Sequence, residues 1–205
     1  RIDRIVSYAD PSVPRYNIHV IPDNINWGTP TRPGQPMSAE ECVSCIDEQP
    51  LVLWIVGSAR FLQLEPTANK HSIGILPLCT RHFAIATNLQ FNKSQPPRHA
   101  DARNVLIFAN KFNNSRKPFP EAYDATQHLY TWAKMQHRKI DAATIRFNDT
   151  VLVECYIKRY RPPDTAFTPD NHWPRWISSF ELLRIAVLVK AAAQIPLPKD
   201  SDVDL

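Results

Sequence analysis

The segment from Asp149 to Val189 constrains the fold of this chain more than any other stretch. It begins with Val151–Tyr160, a run rich in valine and alternating in polarity, which is typical of a strand with one buried face. A proline-rich excursion follows, and a second apolar run covers Phe180–Val189. Two strand-like runs joined by a polar loop predict one side of a small barrel or sheet. The core face of the first strand is expected to carry Val151, Val153, Cys155 and Ile157.

Further strand-like runs precede this pair along the chain. They are Tyr16–Ile21, Leu51–Leu64, Ser72–Leu78, His82–Leu89 and Asn104–Ala109. The main helix is predicted near residues 120–138, and a short helix is predicted to begin at Ser38 and end before Pro50. These elements predict an α+β fold that is mostly β. We expect a single domain built on a mixed or antiparallel sheet, or on a partly open barrel.

Nineteen prolines in 205 residues shape the predicted domain organisation. Six of them fall within residues 1–37, which predicts a Pro-rich extended arm. Residues 38–195 are then expected to form one β-rich globular domain, because no linker composition divides them. Residues 196–205 form an acidic tail.

The chain contains only four glycines, and this scarcity excludes the usual phosphate-binding loops. No two glycines are spaced as in G-x-G-x-x-G or in the P-loop, where a bare backbone approaches the phosphates. Motifs of serine hydrolases, zinc proteases and zinc deaminases are absent as well. We therefore assign no catalytic residues, although an acid–base nuclease using His128 or His137 with nearby lysines is left open.

Four cysteines occur, and two of them form a C-x-x-C pair. Together with a later Cys-x-x-His pair they could supply four tetrahedral zinc ligands. The first pair, however, falls on the apolar face of the predicted short helix, where cysteines are usually small core residues. We expect core packing, no bound metal and no cofactor. So few cysteines also favour an intracellular location, nuclear or cytoplasmic. The low-probability zinc set is Cys42, Cys45, Cys79 and His82.

Basic and aromatic residues interleave near the end of the first strand and in the following loop. The net charge of +4 and the pI of 8.9 are compatible with a polyanionic partner. Rings that stack on bases, set among cations that meet phosphates, are typical of single-stranded nucleic-acid platforms. The alternative is a packed face with snorkelling basic tips. The candidate nucleic-acid-binding residues are Tyr156, Lys158, Tyr160, Arg161, Trp173, Arg175, Trp176, Arg138 and Lys139.

The stretch from about 149 to 189 also resembles part of an oligonucleotide-binding (OB) β-barrel domain. The resemblance rests on the pattern polar-Asp-x-Val-Leu-Val-Glu at Asn148–Glu154, followed by a strand, a loop with tryptophan and a Phe-x-Leu strand. It covers about 40 of the 205 residues. The resemblance implies a small barrel that binds oligonucleotides.

The sequence thus favours a non-catalytic binding domain for single-stranded nucleic acid. The competing hypothesis is a coat-like or scaffold subunit that self-associates, or binds a protein partner, through residues 1–37. A nuclease-like enzyme ranks third. No run of 18 apolar residues occurs, so no membrane partner is expected.

Overall fold

The computed structural model describes residues 1–28, 42–97, 105–127, 135–162 and 175–192. Within these ranges the chain is mostly β, with one main helix and a short N-terminal one. The helices are α1 (Ile2–Val6) and α2 (Thr80–Asn92). The strands are β1 (Ala9–Asp10), β2 (Arg15–Asn17), β3 (Asn26–Trp27), β4 (Ser44–Ile46), β5 (Gln49–Pro50), β6 (Val52–Gln63), β7 (Lys70–Pro77), β8 (Ile107–Phe112), β9 (Ala122–Asp124), β10 (Thr150–Tyr160) and β11 (Ile177–Val189).

Five strands form a partly closed ring in the order β6-β7-β8-β11-β10, and β10 pairs back with β6. All of these pairings are antiparallel except the one between β8 and β11, which is parallel and joins only two residue pairs. β1 and β2 extend the sheet beside β6, and β9 pairs with β11. The predicted mixed sheet in a mostly β single domain is therefore confirmed, and so is the predicted strand pair, as β10 and β11.

The main core fills the inside of the ring. The four residues predicted for the core face of β10 are all fully buried there. Facing them are large aliphatic side chains of the other ring strands, such as Ile73, Ile75 and Leu182. α2 closes one end of this core through Ala86, with Phe83, Ile85 and Leu89 packed around it. Side chains at successive positions alternate between the inside and the outside of the ring, as the period of a strand requires.

Few glycines suffice to build this ring. Gly57 lies where β6 and β7 approach most closely, since a Cβ atom there would stand 2.3 Å from the carbonyl oxygen of Leu76. Elsewhere, irregular registers take up the curvature, at Ala59–Phe61 in β6 and at Glu154–Cys155 in β10. Such bulges increase local twist and bend a strand without any need for glycine.

A second, smaller core covers one outer side of the ring, which we call the covered face. Its sheet residues are Trp54 and Val56 of β6, Leu152 of β10, and Ala186 and Leu188 of β11. Ile5 of α1, Tyr123, Ala125 and Met135 pack over them, and the ring of Tyr8 stacks on Trp54 with centroids 4.2 Å apart. The strands of this side therefore have apolar residues on both faces.

The main helix lies in a different place from the predicted one. Ala122–Asp124, inside the expected helix at 120–138, is the strand β9 beside Ile185–Val187. Asp124 ends it by accepting hydrogen bonds from the backbone N–H and hydroxyl of Thr126, a local turn that competes with a helix. Gln136–Arg138 forms only a 3₁₀ turn, and residues 128–134 lie outside the described ranges.

The helix instead occupies Thr80–Asn92, where a strand was expected at His82–Leu89. The buried and half-buried residues His82, Ile85, Ala86 and Leu89 recur at helical spacing. A short apolar run of this kind fits either period, so its assignment as a strand was wrong.

The short helix expected from Ser38 onward is also wrong in its described part. Ser44–Ile46 is strand β4, which forms a tight hairpin with β5. Asp47 and Glu48 at the turn both have positive φ, at 48° and 64°, as the favoured two-residue hairpin requires.

The predicted N-terminal arm, in its described part up to residue 28, contributes to the sheet. Arg15–Asn17 pairs in parallel with β6, and Tyr16 and Ile18 are buried in the main core. Trp27 packs against the edge of the same core. Among the described residues, no helix is long and apolar enough to cross a membrane.

Candidate functional site

A row of side chains crosses the outside of the ring beyond the edge of the covered face. Lys158 of β10 is opposite Ser179 of β11, and the parallel register of β11 and β8 places Ser179 beside Phe108. Phe108 is opposite Gly74 of β7, and Gly74 is opposite Phe61 of β6. The aromatic band, as we call it, comprises Phe61, Phe108 and Phe112, which lies on the same face of β8, together with Tyr156, Lys158 and Tyr160 of β10.

Two phenylalanine rings of the aromatic band contact each other above a glycine. The rings of Phe61 and Phe108 meet edge to face with centroids 5.6 Å apart. A Cβ atom on Gly74 would stand 2.8 Å from the Cβ of Phe61 and 2.9 Å from the ring of Phe108. Gly74 therefore allows both rings to lie close to the sheet. This pairing holds the rings in place while leaving 40% of Phe61 exposed.

Phe112 is the most exposed large apolar side chain in the described ranges, with 78% of its surface open to solvent. Its strand partner is Lys70, an exposed cation on β7. A half-exposed group of aromatic residues with cations beside it is unusual for a surface without a ligand or partner. The same kind of side-chain set suits base stacking next to phosphate contact.

A parallel row of polar residues runs beside the aromatic one. Tyr156 is opposite Glu181, Glu181 is opposite Asn110, and Asn110 is opposite Ser72. The hydroxyl of Ser72 donates to Asn110 Oδ1 at 2.6 Å. Lys158 Nζ lies 2.9 Å from a carboxylate oxygen of Glu181, so the cation of the band is held against the sheet.

Five of the predicted binding residues lie at one end of the β10–β11 pair. Tyr156 and Lys158 are half-buried on its outer side, and Tyr160 is 44% exposed at the end of β10. Arg161 and Arg175 are exposed, and they flank residues 163–174, which lie outside the described ranges. Trp173 lies outside the described residues. The structure thus brings these five into one region, continuous with the phenylalanines of the aromatic band.

Trp176 has a packing role in this structure. Its indole Nε1 donates to the carbonyl oxygen of Lys93 at 2.8 Å, which fastens β11 to the end of α2. The guanidinium of Arg159 lies between two indole rings, 5.0 Å from the centroid of Trp176 and 4.9 Å from that of Trp27. Such a cation–π sandwich ties β3, β10 and β11 together.

Arg138 and Lys139 lie elsewhere. Lys139 pairs with Glu121 at 3.1 Å and bridges to Tyr123, whose strand partner is Ala186. Tyr160 is opposite Ile177 of β11. Ile177 and Ala186 are nine positions apart on that strand, a distance of about 30 Å. The two basic residues therefore belong to the covered face and not to the aromatic band.

The covered face contains a buried charge. Glu154 is fully buried, and its carboxylate accepts from Trp54 Nε1 at 3.0 Å. Arg15 approaches it to 3.0 Å, and Arg184 pairs with its other oxygen. Tyr123 lies nearby, and its hydroxyl donates a hydrogen bond to Glu121. Burial and this hydrogen bond raise the pKa of Tyr123 to about 12. These ion pairs and hydrogen bonds join β2, β6, β10 and β11.

The low-probability zinc set does not assemble. Cys45 belongs to the small β3–β4–β5 sheet and Cys42 lies in the turn before it, whereas Cys79 is exposed at the start of α2 and His82 is buried on that helix. Burial raises the pKa of the Cys45 thiol, with Glu48 adding to the shift. In the described ranges, no group of three or more His, Cys, Asp or Glu residues has the arrangement of a metal site.

Only one of the two candidate nuclease histidines lies among the described residues. His128 lies outside the described residues, and His137 is exposed on a 3₁₀ turn near the covered face. The sequence reading missed the three phenylalanines of the aromatic band. Phe108, Asn110 and Phe112 alternate with Ile107 and Ala109, so the period of this strand was the available signal.

Comparison of the chain with models of protein families, with curated proteins and with solved structures finds no match.

Proposed function

We propose that this chain is a non-catalytic binding domain for single-stranded nucleic acid and that the aromatic band is its binding surface. The observation that carries the proposal is the row of exposed and half-exposed rings from Phe61 across Phe108 to the Lys158–Tyr160 end of β10. Each base has a flat face, so rings on a sheet accept successive bases whatever their sequence.

The cations beside the rings support the same assignment. Lys70 stands opposite Phe112, and Arg161 and Arg175 flank the Tyr160 end. Phosphate groups of a bound strand would meet these charges, and each contact releases counterions from the nucleic acid. Binding is therefore expected to weaken as salt rises.

The strand order of the ring supports an OB-like barrel. Such barrels have five strands and take oligonucleotides on the face of their second and third strands. The second and third ring strands in chain order are β7 and β8, which carry Gly74, Phe108 and Phe112. The face on which such barrels take oligonucleotides would therefore carry two of the three phenylalanines of the aromatic band.

The test is fluorescence anisotropy of a labelled single-stranded oligonucleotide of about 20 nucleotides, longer than the site of one such domain. Phe112→Ala and Tyr160→Ala are each expected to weaken binding by about 1–3 kcal/mol if the ring stacks on a base. Phe147→Ala is the matched control, because Phe147 is 55% exposed but lies on a loop under the guanidinium of Arg60. Equal affinity of all three variants and the wild type would contradict the proposal.

A protein partner is the second candidate, because exposed phenylalanines also suit an assembly interface. The predicted self-association used residues 1–37, of which residues 15–17 are paired with β6 in this chain. Particle mass in solution separates the two candidates. A large closed oligomer without oligonucleotide binding would favour assembly, and a monomer with salt-sensitive binding would favour the nucleic acid.

A further inference from the structure

A groove lies between residues 18–25 and α2. Its volume is about 390 Å³, within the range of sites for small molecules. Most of its wall is aliphatic, so a ligand with an apolar body would bury hydrocarbon surface there. The aliphatic lining residues are Ile18, Ile21, Ile25, Ile85 and Leu89.

One end of the groove carries an ammonium group that is partly buried. Lys93 Nζ donates to the carbonyl oxygen of Ile25, which uses one of its three N–H bonds. Burial lowers the pKa of Lys93, so its charged form is short of compensation in this position. A carboxylate at this end of the groove would supply a full opposite charge and an acceptor.

A histidine lines the other end of the same groove. The ring of His19 lies 5.1 Å from that of His82, in the first turn of α2, whereas Lys93 follows the last residue of that helix. Most of the length of α2 therefore separates the two groups, and the aliphatic wall lies between them.

We propose that this groove binds an aliphatic carboxylate such as a medium-chain fatty acid. The carboxylate is held by Lys93, and the alkyl chain lies along the isoleucines and Leu89 towards His19. The amides of Asn88 and Asn92, one helical turn apart on α2, line the groove and give it a polar edge. Asp23 is exposed at the rim, where solvent screens its charge from the ligand.

Other ligand classes fit the lining less well. A neutral alcohol of the same length covers the aliphatic wall but leaves the Lys93 charge without a counter-ion. Inorganic phosphate supplies the charge but leaves the wall open to water. A carboxylate with an apolar chain uses both features, so octanoate is expected to bind more tightly than octanol.

The experiment is a titration of the ¹⁵N-labelled chain with octanoate and with octanol. Octanoate is expected to give saturable shifts confined to residues 18–25 and 85–93. Lys93→Met is expected to weaken octanoate binding by about tenfold, as for loss of a charged hydrogen bond, and to leave octanol binding unchanged. Lys117→Met is the matched control, because Lys117 is exposed and does not line the groove, and it is expected to bind octanoate like the wild type.

A second variant keeps the test valid if Lys93→Met does not fold. Asn88 is exposed on α2, and Asn88→Trp would fill the groove from its rim without removing a core contact. It is expected to abolish octanoate binding while the helix content stays the same. The proposal is overturned if octanoate gives no saturable shifts, or if it binds either groove variant as tightly as the wild type.

Discussion

The two outer sides of the ring use the same strands in opposite ways. On the covered face, β6, β10 and β11 carry apolar residues outward and bury them under α1 and Tyr123, with Glu154 neutralised by two arginines. On the aromatic band, the outward residues are rings that remain partly in solvent. On the covered face, the apolar residues are explained by the stability that their burial provides. The partly exposed rings of the aromatic band have no such explanation, which is why we propose that the band binds a ligand.

The largest effect is expected on the covered face. Glu154→Gln leaves Arg15 and Arg184 without their shared counter-charge, and breaking a buried ion pair in this way costs about 3–5 kcal/mol. Urea denaturation measures the change in the free energy of unfolding. Glu181→Gln, which breaks the solvent-screened pair with Lys158, is the control and should cost no more than about 1 kcal/mol. Similar losses for the two variants would remove the contrast between the two sides.

Acid should next weaken the end of the ring where β10 begins. Asp149 is buried, and burial by itself raises the pKa of its carboxyl group. Hydrogen bonds from the backbone N–H groups of Ala191 and Arg146, together with Lys190, outweigh this effect, so the pKa of Asp149 is lowered. A lowered folded-state pKa stabilises the fold above the unfolded value, near pH 4, and this contribution is lost as pH falls through the folded value. The free energy of unfolding should therefore drop below about pH 4. Asp149→Asn should lower stability at neutral pH and flatten this drop; a drop as steep as in the wild type would exclude Asp149 as its source.

On the aromatic band, mutation should change binding and spare stability. Phe112 is so exposed that Phe112→Ala should shift the free energy of unfolding by no more than about 0.5 kcal/mol. The same variant should lose about 1–3 kcal/mol of oligonucleotide binding. Denaturation and anisotropy on one preparation separate the two quantities. A large loss of stability would mean that Phe112 packs as a core residue.

The smallest effect is expected where the two sides meet. Lys158→Ala removes a half-exposed cation paired with Glu181, so stability should fall by no more than about 1 kcal/mol. If Lys158 meets a phosphate, the slope of log affinity against log salt should decrease by about one unit or slightly less. An unchanged slope would remove Lys158 from the contact surface.

The sequence predicted those parts of the fold in which apolar and polar residues alternate regularly over many positions. β10 and β11 alternate over more than ten residues, so their existence, pairing and buried face could be read directly. α2 could not be placed, because His82–Leu89 is apolar at spacings that fit a strand as well as a helix. β9 is three residues long and depends on its pairing with β11, a contact that no local pattern reveals.

The candidate site was predicted only in part, for a related reason. Tyr156, Lys158 and Tyr160 were recognised because they lie within one strand. Phe61 and Phe108 come together only through the ring, across Gly74, and residues 47 positions apart in sequence give no sign of that contact. The packing contact of Trp176 could not be read from the local pattern, because its hydrogen bond to Lys93 joins two elements that are distant in sequence.

Photo-crosslinking of a bound single-stranded oligonucleotide, mapped by mass spectrometry, tests the central claim most directly. The account predicts crosslinks to Phe61, Phe108, Phe112 and Tyr160, and none to the covered face around Tyr123 and Lys139. Crosslinks that fall on the covered face, or saturable binding without any crosslink on the aromatic band, would contradict it.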